Sequence, residues 1–246
     1  MDTFYDKCLD VMQTTLSLLE TLVPEPVLVP YKGSFVFRYK EKSLKQALIQ
    51  KIARLISGLH AARLLLEHGF VQEQASIQRM LDELQEDITF LSFSAILNDQ
   101  TPLHQEYLNE FYKDDFESNN ANYVSIKRKM IPRRKIRAYI ARALQNPSDV
   151  SKTVDSLNAV GDFYSGYIHA VSPCIMDMYY GEPAKFYVRG LVGTERHYEH
   201  RNDLWNYFYR GINALSYVLK VFKVEELLTD LNKFIAKIES TPRAYR

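Results

Sequence analysis

At 246 residues the chain has room for one large domain or two small ones, and length enough to bury a substantial core. Its 46% hydrophobic and 25% charged residues place it in the ordinary soluble class, and 31 Lys and Arg against 30 Asp and Glu leave no whole-molecule charge to attract nucleic acid or a membrane. Cys8 and Cys174 are too few for a disulfide framework, no apolar run reaches the roughly 18 residues of a spanning helix, and no basic segment precedes an apolar one at the start, so a cytoplasmic protein with no membrane partner is expected.

The apolar residues Tyr5, Leu9, Met12, Leu16, Leu19 and Val23 fall at alternating steps of four and three, which puts them on one helix face until Pro24 ends it. Three prolines then bar a helix, and the alternation Phe35, Phe37, Tyr39 predicts an extended arm with a short strand. Ser43 is placed to cap a long helix with the stripe Leu44, Leu48, Ile52, Leu55, Leu59, Ala62 and Leu66, which Gly69 ends. A second stripe follows at Ile77, Leu81, Leu84, Ile88, Leu91 and Ala95, with Gln78, Asp82, Gln85 and Glu86 on the other side. The short gap between the two predicts an antiparallel helical hairpin.

Thr101 and Pro102 open a short acidic helix with Glu106, Glu110, Asp114 and Asp115, and residues 117–122 read as a polar loop. A helix starting at Pro132 buries Ile136, Tyr139, Ile140 and Ala143 and turns Arg134, Lys135 and Arg142 to solvent. The next helix, from Ser148 or Ser151, carries Gly161 on its buried stripe, where another backbone can approach. Residues 162–190 crowd prolines, glycines, aromatics, His169 and Cys174 between two helical patterns. Ser172 and Pro173 cap a short helix there, Gly181 can end it, and residues 185–189 have room for a strand that could pair with residues 35–39. Thr194 caps a long helix through Leu204, Phe208, Gly211, Leu215, Val218 and Phe222, and a last stripe runs from Val224 to Ile238.

The fold class expected is therefore all-α: a bundle of about eight helices with one long antiparallel hairpin and room for a minor two-stranded β element. A single domain over residues 1–246 is read as an N-terminal helix and arm (1–40), the hairpin (43–97) and the remaining helices (101–246).

One charge anomaly stands out. Residues 127–142 hold eight cations, Lys127, Arg128, Lys129, Arg133, Arg134, Lys135, Arg137 and Arg142, and no anion. Cations clustered beside Tyr139 are the local footprint of a phosphate-backbone binder, which gains by releasing counterions. The competing structural reading pairs them with the acidic segment from Glu106 to Glu117. His169, with Tyr167, Ser172 and Arg189, defines a secondary pocket, although a histidine in a last helical turn more often satisfies carbonyls. His197 and His200 share a helix face but have no identifiable third ligand, and Cys174 reads as a packed residue before a nucleophile. Phosphate-loop, dinucleotide and paired-cysteine motifs are absent from the sequence, so neither a metal nor another cofactor is expected. The aromatics at residues 205–209 cover every helix face, which suits a pocket or a homodimer interface.

The segments RRKIRAYIAR, YSGYIHAVSPCIMDMYYG, KFYVRG and LWNYFYRG resemble an uncharacterised family of bacterial helical proteins, itself distantly similar to the HEPN superfamily of nucleotide-binding proteins and metal-independent ribonucleases. The resemblance implies a nucleotide-related role. HEPN ribonucleases carry an arginine, four to six residues and then a histidine, a spacing matched by Arg63 and His68 and by Arg54 and His60. On an undistorted helix Arg63 and His68 stand about 140° apart. Three functions follow in order: RNA or polyanion binding through residues 127–142, a homodimeric interaction module, and a hydrolase using His169 or Arg63 and His68.

Overall fold

The computed structural model describes residues 2–31, 33–113, 129–144 and 150–240, which hold nine helices and two short two-stranded sheets. The all-α class with a minor β element is borne out. Helix α2 (Leu44–Glu67) and helix α3 (Val71–Ile96) are the expected antiparallel hairpin, turned at Gly69 with φ +74°. Ser43 caps α2 reciprocally: its hydroxyl accepts from the Gln46 amide while the Gln46 side chain accepts from the Ser43 amide at 3.0 Å.

Helix α8 (Glu195–Phe222), capped by Thr194, lies against both arms of the hairpin, and the three helices enclose Leu55, Leu59, Leu81, Ile88, Leu91, Phe208, Ile212, Leu215 and Val218. Around this layer α1 (Asp2–Glu20) closes over α2 and α8, α9 (Glu225–Ser240) over α8, and α4 (Pro102–Phe111) over α2. Helices α5 (Arg133–Ala143) and α6 (Val150–Ile168) cover α3 from its remaining side. Gly161 of α6 sits where an added Cβ would stand 3.0 Å from the Arg137 guanidinium, so its missing side chain lets α6 close on α5.

The strands differ from expectation. Strand β1 (Val27–Tyr31) pairs antiparallel with β2 (Ser34–Arg38), and after α7 (Ser172–Met176) strand β3 (Tyr179–Tyr180) pairs with β4 (Lys185–Phe186). Residues 185–189 therefore do not reach the 35–39 segment, because each strand finds a nearer partner across a tight turn. Gly181 belongs to the β3–β4 turn rather than to the end of α7. Aromatics of α8 are largely absorbed within the fold: Tyr5 and Phe208 rings meet at 4.6 Å, and Phe4 and Tyr209 stack on Trp205.

Candidate nucleic-acid interface

The amphipathic register of α5 is as read: Ile136, Tyr139 and Ile140 are buried, and Arg134, Lys135 and Arg142 are exposed. The cations between these faces do not face solvent. Arg133 bonds Asp87 at 2.5 Å and Glu83 at 3.3 Å, and Arg137 gives its Nε–H to Glu86 at 2.8 Å and Nη1 to Asn158 at 2.6 Å. Lys129 pairs with Glu106 and places its amide on Glu110 at 2.8 Å. Assignment of Arg133 and Arg137 to a nucleic-acid surface is thus corrected, since each is turned inward and matched by a carboxylate of the same chain, whereas Lys129 is paired with Glu106 but keeps a largely exposed side chain. Lys127, Arg128, Asp114, Asp115 and Glu117 lie outside the described residues.

The carboxylates come from the side of α3 that the apolar stripe leaves over. Gln78, Asp82, Gln85 and Glu86 were expected opposite the core, yet all four are buried, because α3 is covered on every side by α2, α5, α6 and α8. Four acids, Asp82, Glu83, Glu86 and Asp87, meet Lys51 from α2, Arg133 and Arg137 from α5, and Arg210 from α8. Burial raises the Asp87 carboxyl, but Lys51 at 2.8 Å and Arg133 outweigh it and hold it below the usual carboxylate range. For Glu86 burial wins over Arg137 and Arg133, and its carboxyl is pushed up. Asp82 accepts from Arg210 at 2.7 Å and from the Tyr207 hydroxyl at 2.8 Å. This buried layer docks α5 onto α3, and two of its cations produced the charge anomaly in the sequence.

What remains outward is narrower. Lys135 and Arg142 line one open groove of about 420 Å³ whose other wall is Pro102, Leu103 and Glu106 of α4. Seven residues separate them, two turns, or about 10 Å along the helix axis. Arg134 and Lys135 stand in the first turn of α5, which has no acidic residue and no capping side chain, so they add to the positive end of the helix dipole rather than offsetting it. Cations placed there cost helix stability, so their position is not explained by folding.

The other candidate residues are not brought together. Tyr167 is buried with its hydroxyl on Asp177 at 2.9 Å, while His169, Ser172 and Arg189 are exposed, so Tyr167 does not share their surroundings. Positions two apart on a helix point roughly 200° from each other, which is why Tyr167 faces inward and His169 outward. Arg63 bonds Glu67 at 2.7 Å, pairs with Asp6 and lies over the Tyr5 ring, and His68 Nδ1 is 2.9 Å from the Leu64 carbonyl. They do not act as a pair. His197 accepts the Gly193 amide at Nδ1, leaving Nε2–H to donate to the Leu66 carbonyl at 2.8 Å. His200 is buried with Nδ1 on Gln74 at 2.8 Å, and burial pushes it down to about 4. Burial and then Asp177 push the Cys174 thiol up, away from a reactive thiolate. Among the described residues no cluster of three metal-ligating groups occurs, and no helix is long and apolar enough to cross a membrane. No protein-family model, curated protein or solved structure matches the chain.

Proposed function

We propose that this chain binds a polyanion, single-stranded RNA foremost, weakly and without reading bases, through the outer flank of α5. The observation that carries the reading is the groove between α4 and α5, into which Lys135 and Arg142 both project while the α4 acid beside them, Glu106, is already engaged by Lys129. Arg134 extends the cationic flank, and Lys127 and Arg128 precede it in sequence. The reading keeps the RNA-directed expectation of the HEPN resemblance and omits its hydrolytic step, because Arg63 and His68 are engaged elsewhere.

The smaller cation set has a measurable consequence. Each phosphate neutralised on a single strand contributes about −0.7 to the slope of log affinity against log salt, so three contacts give about −2, where eight would give nearly −6. Fluorescence anisotropy with a labelled oligonucleotide across a salt series measures this slope. Arg134→Ala, Lys135→Ala and Arg142→Ala combined should flatten it and weaken binding at low salt. Unchanged affinity and slope in that variant, or no binding by the parent at low salt, would refute the proposal.

A further inference from the structure

The ribbon of β1 and β2 has an unprotected edge. Its pairs run without a bulge from Val27 with Arg38 to Tyr31 with Ser34, and two residues close the turn. In such a hairpin the closing pair is hydrogen-bonded and pairs alternate from there, so Leu28 with Phe37 and Pro30 with Phe35 are the non-hydrogen-bonded ones. The backbone groups of these four residues point away from the ribbon. On the β1 edge, Pro30 has no N–H to offer, which blocks a further strand. On the β2 edge, Phe35 and Phe37 both present N–H and C=O, and among the described residues Phe37 O is met by the side chain of neighbouring Arg38 at 2.9 Å. The same residues hold an uncharged face open to solvent: Leu28 is 58% exposed, and Phe35 and Phe37 are each 64% exposed. Proteins ordinarily blunt such an edge with a charge, a proline or a bulge; Pro30 does so on β1, whereas β2 carries only Arg38 at its end, whose flexible side chain covers the Phe37 carbonyl and leaves the Phe35 groups and the Phe37 N–H uncovered.

We infer that β2 pairs with β2 of a second copy of this chain, antiparallel about a twofold axis through Val36. That register is the one in which the outward groups match: Phe35 exchanges both hydrogen bonds with the partner's Phe37, Phe37 does so with the partner's Phe35, and the two Val36 side chains meet. Arg38 falls opposite the partner's Ser34, so no like charges oppose each other within the paired strands. Self-pairing fits an uncharged face, which gives an acidic or basic partner nothing to read. The exposed parts of Leu28, Phe35 and Phe37 amount to roughly 350 Å² per copy, taking about 170–200 Å² for a free side chain of this size. Two copies fall short of the ~1,200 Å² of stable complexes, so the dimer is weak and concentration-dependent. It is independent of polyanion binding on α5.

Sedimentation velocity on the full chain over about 5–500 μM should show a dimer growing by mass action. Phe37→Pro deletes an N–H on the open edge and should weaken association at least about tenfold, while Leu28→Pro, on the edge already blocked by Pro30, should leave it unchanged. Because a proline can disturb the ribbon itself, Val36→Cys in a Cys174→Ser background gives a second readout. Val36 and its symmetry mate form a non-hydrogen-bonded pair with Cα atoms about 4.5 Å apart, within disulfide range, so mild oxidation should cross-link them, and Ser34→Cys should not cross-link. A monomer at every concentration with no Val36→Cys cross-link, or equal loss in both proline variants alongside no cross-link, overturns the inference.

Discussion

Arg137→Met separates a fold role for the α5 cations from a ligand role. Arg137 and Glu86 are each only 6% exposed at the side chain, and methionine keeps most of the arginine's volume, so little cavity is created. What the substitution leaves is a buried Glu86 carboxylate whose nearest remaining cation is Arg133 at 3.8 Å. Breaking one partner of a buried pair costs about 3–5 kcal/mol, against a total stability of about 5–15 kcal/mol for proteins of this kind. The loss should shrink as pH falls below neutral, because protonating Glu86, already pushed up by burial, removes the stranded charge. In the double variant Glu86→Gln with Arg137→Met neither charge remains, and most of the stability should return. Urea unfolding followed by far-ultraviolet circular dichroism, near neutral pH and at about pH 5, measures all three. A cost under about 1 kcal/mol for the single variant, together with a sharp loss of RNA binding, would show that Arg137 reaches a ligand instead of Glu86.

Arg134→Ala, Lys135→Ala and Arg142→Ala together should leave stability unchanged or raise it by up to about 1 kcal/mol, since none of the three is buried and Arg134 and Lys135 oppose the dipole of α5, and a lowered midpoint on thermal melting would contradict their placement. His200 is neutral in the folded chain and titrates near 4, against about 6.5 when unfolded, so its stabilising share is complete above about pH 6.5 and lost as pH falls to about 4. That depression corresponds to about 3 kcal/mol, and His200→Gln should flatten the pH dependence of stability in this window, which chemical denaturation across pH would detect. Gly190 has φ +105°, and a Cβ there would stand 2.1 Å from the His68 carbonyl oxygen. Gly190→Ala should therefore cost about 1–3 kcal/mol from backbone strain, with steric overlap in addition, and hydrogen exchange should rise at Leu191, whose amide bonds Gly69.

Helix positions and ends were readable from the chain because their causes are local. A stripe at steps of three and four, a Ser43 or Thr194 hydroxyl that accepts an amide two or three residues on, and a Gly69 tolerant of positive φ all act within a few residues. The outward direction of Arg134, Lys135 and Arg142 followed in the same way from the buried stripe of α5. The β1–β2 ribbon also left a signal, the glycine at position 33 between alternating segments, which the prolines of the arm masked.

Tertiary structure alone decided which charges are available. Whether a cation at position 133 or 137 is a ligand contact or a docking contact depends on what α5 packs against, and the three acids that answer it, Glu83, Glu86 and Asp87, lie some fifty residues earlier on α3. An amphipathic pattern marks the side of a helix that must be buried, and it cannot exclude burial of the other side. Helix α3 sits at the centre of the bundle, where its polar side loses water too and is stable only by matching carboxylates to guanidinium and ammonium groups brought in from three other helices.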